Sequence, residues 1–133
     1  MTERGSSAAS VLEMIQADHD NASVRDDTTE SARTLHVGID VGSTTTKSCV
    51  IDPASGEVLF SSYRRHNARQ AESVRSVLHD IASALPHRRF RLAVCGSGGE
   101  AVARMLGVPY VQEVVANAIA VRDLHPQTRC AIE

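Results

Sequence analysis

Aromatic side chains are scarce: they make up 3% of the 133 residues, and tryptophan is missing. The chain therefore has little of the aromatic interleaving that accompanies basic residues in nucleic-acid binding. A formal net charge of -2 gives no general electrostatic drive toward nucleic acid or an anionic membrane. No apolar run approaches the roughly 18 residues of a spanning helix. The N-terminus does not pair a basic region with an apolar run and a small-residue cleavage site, so a cytoplasmic protein is expected. Cys49, Cys95 and Cys130 lie too far apart in sequence for a ligand loop, which excludes zinc-finger and c-type haem motifs. An odd count of cysteines without a signal peptide fits a reducing compartment, and each is expected in a strand as a small buried residue. What remains, 42% apolar and 23% charged residues, is ordinary for a globular protein and rules out collagenous, coiled-coil and wholly disordered chains.

Charge divides the chain. Residues 1–34 carry seven acids and three arginines, whereas residues 35–133 carry nine acids and eleven bases. The first part is rich in Ser, Asp, Thr and Asn and holds one short amphipathic stretch, Ala9 to Ala17. It has too little apolar area to offset chain ordering, so a polar, disordered N-terminal extension is expected there. Residues 35–133 are long enough for one domain with a real core.

Within that domain, three strand-like runs come first: Leu35 to Asp40, Lys47 to Asp52 and Glu57 to Tyr63, joined by tight turns. From Gln70 to Leu85, the apolar residues Val74, Val77, Leu78, Ile81, Ala82 and Leu85 recur at helical spacing, and Pro86 ends the run. Phe90 to Cys95 reads as a buried strand entering a glycine turn at Gly96, Gly98 and Gly99, then a short helix ending at Gly107. Val108 to Val111 suggests a short strand, Glu113 to Leu124 a helix, and Arg129 to Glu133 the start of another strand. A meander followed by alternating helices and strands predicts an α/β domain, a mixed sheet with helices packed on it.

The chemistry concentrates between Asp40 and Lys47. A carboxylate ends one strand, Gly42 turns the chain, four hydroxyls follow at Ser43, Thr44, Thr45 and Thr46, and a lysine opens the next strand. Lys47 is the one lysine beside 13 arginines, which suggests a position that calls for a compact ammonium. Backbone N–H groups, hydroxyls and a point charge suit phosphate oxygens, and Asp40 suits a Mg²⁺ ion held through water. The same residues also fit a Thr-rich hairpin with Asp40 capping the turn and Lys47 solvated. The loop lacks the Walker-A order and the dinucleotide-binding glycine spacing, and Ser97 lacks the spacing of a nucleophile elbow.

The segment HVGIDVGSTTTK (residues 36–47) resembles the first phosphate motif of the actin, sugar-kinase and heat-shock-chaperone ATPase superfamily. Within it, the chain is most similar to the activases of 2-hydroxyacyl-CoA dehydratases and benzoyl-CoA reductases, the BadF/BadG/BcrA/BcrD type. SSYRRHN (61–67), VCGSGGE (94–100), VPYVQEVV (108–115) and AIA (118–120) follow in the family's order, so the resemblance spans residues 35–133. It implies a ribonuclease-H-like lobe with strands and helices in βββαβα order. It also implies ATP and Mg²⁺ as ligands, with Asp40 as the Mg²⁺-linked aspartate, Gly42, Ser43, Thr44 and Thr45 cradling the β- and γ-phosphates, and Lys47 reaching them. Glu113 resembles the residue that positions the attacking water or the metal; as an acid in a helix's first turn it is also favoured by the dipole alone. The Gly96 to Glu100 turn fits either an anion site or a plain strand-to-helix turn.

The family's second lobe, which carries the second phosphate loop and the adenosine pocket, has no counterpart in these residues, so the resemblance implies the N-terminal lobe and no turnover by it alone. Activases are homodimers holding a 4Fe-4S cluster and acting on a dehydratase or reductase partner; Cys49, Cys95 and Cys130 do not match the cluster positions. A non-catalytic interaction module, or a lobe of a sugar or acid kinase, are the other readings. Arg64, Arg65, Arg69, Arg75, Arg88, Arg89 and Arg91 make the middle basic and are expected on a solvated face, against a partner subunit, or against a CoA phosphate. His66 is expected in a surface loop.

Overall fold

A computed structural model describes residues 34–132. Residues 1–33, with the Ala9 to Ala17 stretch, and Glu133 lie outside the described residues; Thr34, expected as the last residue of the extension, instead opens the first strand and is buried. The elements run β1 (Thr34–Val41), β2 (Thr45–Ile51), β3 (Val58–Arg65), α1 (Gln70–Ala84), β4 (Arg89–Cys95), α2 (Gly99–Leu106) and α3 (Glu113–Leu124). The four strands form one mixed sheet in the order β3-β2-β1-β4, with β1 antiparallel to β2 and parallel to β4. The chain is thus α/β. Among the described residues no helix is long and apolar enough to cross a membrane.

Side chains alternate across a strand, and β1 shows the consequence. Leu35, Val37, Ile39 and Val41 are each at most 4% exposed and face the helices. His36, Gly38 and Asp40 take the other face. On the helix side Leu35, Val37, Ile39 and Val41 join Val50 of β2, Val94 of β4, Val74, Val77 and Ile81 of α1, and Val102 and Ala103 of α2 in one core. Burying each aliphatic side chain of this kind contributes about 1.5–3 kcal/mol. Arg64 ties β3 to α1 by donating to Ser76 Oγ (2.8 Å) and pairing with Asp80, so this member of the basic middle is paired within the chain while its side chain stays about a third exposed.

The helix ends follow local chemistry. α1 stops at Leu85 ahead of Pro86, and α2 stops at Gly107, which takes the left-handed conformation (φ 68°) that a side chain resists. Asp52 caps its own turn, accepting from the Ala54 N–H through Oδ1 and from the Gly56 N–H through its carbonyl.

Three expectations change. Val108 to Val111 forms a single parallel bridge, Val94 with Tyr110, because Pro109 has no N–H to extend a ladder. Residues 129–132 are not a strand, since no neighbouring strand pairs with them; Cys130 is accordingly exposed, while Cys49 and Cys95 are half-buried in β2 and β4. Finally, α3 does not pack into the core. None of its residues is buried, and Val114 and Leu124 are more than two-thirds exposed.

Between β3 and α1 the backbone is strained: Asn67 (φ 49°) and Ala68 (φ 64°) are both left-handed. Asparagine tolerates this region, whereas alanine loses about 1–2 kcal/mol there. Glycine at position 68 would remove that cost but adds about 0.4–1 kcal/mol of unfolded-state entropy. Ala68→Gly is therefore expected to raise stability by about 0.5–1 kcal/mol, read as a higher urea midpoint with an unchanged slope.

Candidate functional site

The face of the sheet turned away from α1 and α2 carries the sequence's chemical residues. Cross-strand register places Tyr63, Lys47, Asp40 and Cys95 in one row over β3, β2, β1 and β4. Thr45 lies on the same face two residues from Lys47 and pairs in register with Arg65. A hollow of about 360 Å³ opens here, lined by Gly38, Asp40, Lys47, Cys49, Ala93 and Cys95 from the sheet, by Val111 ahead of α3 and by Ala116 within it. The start of α3 thereby brings Glu113 close enough for its charge to act on both Lys47 and Cys95.

Asp40 and Lys47 are joined directly: Nζ donates to Oδ2 at 2.8 Å. With the lysine side chain 51% exposed and the aspartate 22%, solvent screens the pair, and it contributes at most about 1 kcal/mol. The hydrogen bond to Asp40, and then its charge, raise the Lys47 ammonium above its ordinary value of 10.5. The second Asp40 oxygen, Oδ1, is buried and has no hydrogen-bond partner. A β-carbon on Gly96 would stand 2.3 Å from that oxygen and 2.5 Å from the Val41 carbonyl. The glycine turn is therefore the wall that shapes the Asp40 pocket. Gly98 closes it by donating its N–H to Val41 O at 2.8 Å.

The β1–β2 connection is a tight hairpin with Gly42 N–H donating to Thr45 O at 2.9 Å. Ser43 and Thr44 at its tip are exposed and Thr45 is half-buried. Thr46, the fourth hydroxyl of the run, is fully buried and faces the core. The candidate residues Asp40, Gly42, Ser43, Thr44, Thr45, Lys47 and Glu113 thus gather at one end of the sheet.

One residue at this end was misplaced by sequence reasoning. His66 is not on the surface: it is 4% exposed, its Nε2 lies 3.1 Å from Gly42 O, and its N–H donates to Thr44 O at 3.1 Å. The one available signal was its position, the first residue after a strand that pairs with the hydroxyl loop.

Among the described residues there is no group of three or more His, Cys, Asp or Glu side chains placed to hold a metal. Cys49, Cys95 and Cys130 are spread over β2, β4 and the segment after α3, and they do not fit an iron–sulfur cluster. No protein-family model matches the chain, and no curated protein matches it.

Two measurements test this geometry. Gly96 and Gly56 both have positive φ, but a β-carbon on Gly56 meets nothing within 4 Å. Gly56→Ala should cost only the left-handed penalty of about 1–2 kcal/mol. Gly96→Ala adds overlap of about 1–3 kcal/mol, and equal urea midpoints for the two variants would show that the crowding at Asp40 is not real.

Burial, followed by the charges of Asp40 and Glu113, pushes the Cys95 thiol above its ordinary value of 9.0. Cys95 should therefore alkylate more slowly than exposed Cys130 near neutral pH, and Asp40→Asn should speed its labelling, as followed by mass spectrometry. Both raised groups bind their protons more tightly when folded. Their contribution to stability is complete below the unfolded values and is lost as pH climbs through the folded ones, so the melting temperature should fall on the alkaline side, from about pH 9 upward.

Proposed function

We propose that residues 34–132 are a phosphate-binding lobe of the ribonuclease-H-like, actin-like ATPase kind, and that the chain serves ATP hydrolysis in an activase of 2-hydroxyacyl-CoA dehydratases or benzoyl-CoA reductases. The observation that carries this reading is the meeting of Asp40, Thr45 and Lys47 on one open face beside an exposed hydroxyl hairpin, within reach of the charge of Glu113. The strand order β3-β2-β1-β4, with a three-strand meander followed by a parallel β4, is compatible with the order that the resemblance implies.

The residues present fit Mg-ATP. Mg²⁺ typically takes one or two carboxylates and leaves its other positions to phosphate oxygens and water. Asp40 offers an oxygen with no hydrogen-bond partner. Ser43 and Thr44 are exposed at the hairpin tip, and Thr45 adds a third hydroxyl residue on the face shared with Lys47. When bound, the metal would neutralise charge on the phosphate oxygens. Lys47, already charged at neutral pH at its ordinary value of 10.5 and held more firmly so by Asp40, exchanges its carboxylate partner for phosphate. Glu113, whose charge already reaches Lys47, orients the attacking water from the first turn of α3. The open face and the exposed α3 fit a lobe that works against a second body supplying the adenosine pocket and the remaining donors.

Isothermal titration with Mg-ATP tests the reading. A charge-assisted hydrogen bond is worth about 1.5–3 kcal/mol, so Lys47→Ala and Asp40→Asn should each weaken binding by about tenfold or more. Affinities equal to the parent's would refute the phosphate assignment. The chain of 133 residues is expected to show no turnover by itself, and steady ATP hydrolysis would contradict the need for a second body.

A further inference from the structure

The corner between β3 and α1 has no role in the phosphate reading, yet it is built against the site. A carbonyl oxygen only accepts, so His66 Nε2 carries the ring proton and donates it to Gly42 O across 3.1 Å. The other ring nitrogen, Nδ1, is buried without a hydrogen-bond partner. The backbone N–H of the same residue holds Thr44 O at 3.1 Å, so one residue takes the carbonyls on either side of Ser43. The corner that delivers His66 is costly in conformation: Asn67 and Ala68 are left-handed, and Arg69 N–H closes it on His66 O at 2.8 Å. Strain kept at an ordered corner points to a constraint imposed by what the corner holds. Gln70 follows at once, and its amide lies against Gly98, where an added β-carbon would approach it to 2.9 Å. The corner therefore touches both the hydroxyl hairpin and the glycine turn.

We propose that His66 is a positioning residue for the hydroxyl hairpin: its ring and its backbone hold the Gly42 and Thr44 carbonyls inward, which fixes Ser43 and Thr44 on the exposed side as a preformed anion cradle. A preformed cradle spares the ligand the ordering of a flexible loop. The clamp itself is read without any ligand; only its effect on nucleotide binding rests on the phosphate reading.

The experiment uses the full chain. Amide exchange by NMR reads the Gly42 N–H, which closes the hairpin, against the Val94 N–H in β4 as a control. His66→Leu removes the donor at similar bulk, and losing one hydrogen bond should speed Gly42 exchange by about fivefold to tenfold with Val94 unchanged. His66→Gln restores a donor and should recover most of the protection. Unchanged Gly42 exchange in His66→Leu, or equal acceleration at both amides, overturns the clamp. Should the leucine variant not fold, the ring nitrogen shifts of the parent chain decide: a neutral ring protonated on Nε2 supports the proposal, and a proton on Nδ1 overturns it. Titration of the same variants with Mg-ATP should show weaker binding in the leucine variant and recovery in the glutamine variant. A Gly42 response in a parent chain that binds no Mg-ATP supports the clamp and refutes the phosphate reading, so the two failures are distinguishable.

Discussion

The contact on which the other features of this fold depend is the passage of the Gly96 turn against the end of β1. β1 is paired along both edges, antiparallel to β2 and parallel to β4, and its register with β4 runs from Thr34 opposite Arg89 to Asp40 opposite Cys95. Beyond Cys95 the chain must leave the sheet while staying close enough for Gly98 N–H to reach Val41 O. A side chain at position 96 would occupy the space of the Asp40 carboxylate and the Val41 carbonyl. Any side chain at position 96 would therefore force one of these groups to shift. The core and the candidate site are thus two results of one close approach.

The same strand also explains why the chemistry sits beside a dry core without entering it. Alternation along β1 sends Val37, Ile39 and Val41 to the helices and leaves Gly38 and Asp40 on the open face. Where a side chain stands relative to that division decides its character. Thr45 and Thr46 are neighbours of the same type, yet one faces the site and the other is wholly buried. Cys95, half-buried beside Asp40 and Glu113, is held as a thiol, whereas Cys130 lies in the open after α3.

The sequence made much of this legible because the signals were local. Strand-like runs marked β1, β2, β3 and β4, the 3.6-residue pattern marked α1, and Pro86 and Gly107 marked two stops; each of these rests on chemistry within a few residues. Asp40, Lys47 and the hydroxyl run were readable for the same reason, being contiguous. What stayed hidden was set by distant partners. His66 is buried only because β3 brings it to Gly42, 24 positions earlier. Helical composition in α3 revealed the helix without saying that the sheet offers it no place, and strand character in Arg129 to Glu133 could not supply the neighbour that a strand requires.

The exposed α3 bears on how strongly the site acts. Its apolar residues, including Val114, Val115, Ile119 and Leu124, stand in solvent, while its first turn holds Glu113 near Lys47 and Cys95. In this arrangement water reaches the Lys47 ammonium, and the attraction between Asp40 and Lys47 is weak for that reason. A surface packed onto α3 would remove apolar area from water and, by the same movement, exclude water from the hollow that Ala116 lines. Charges a few ångströms apart interact several times more strongly in such surroundings than in bulk water. Burial of the helix and strengthening of the charges are therefore coupled, so that, under the phosphate reading proposed above, covering α3 would turn an open set of charges into a site better able to stabilise a transferring phosphoryl group.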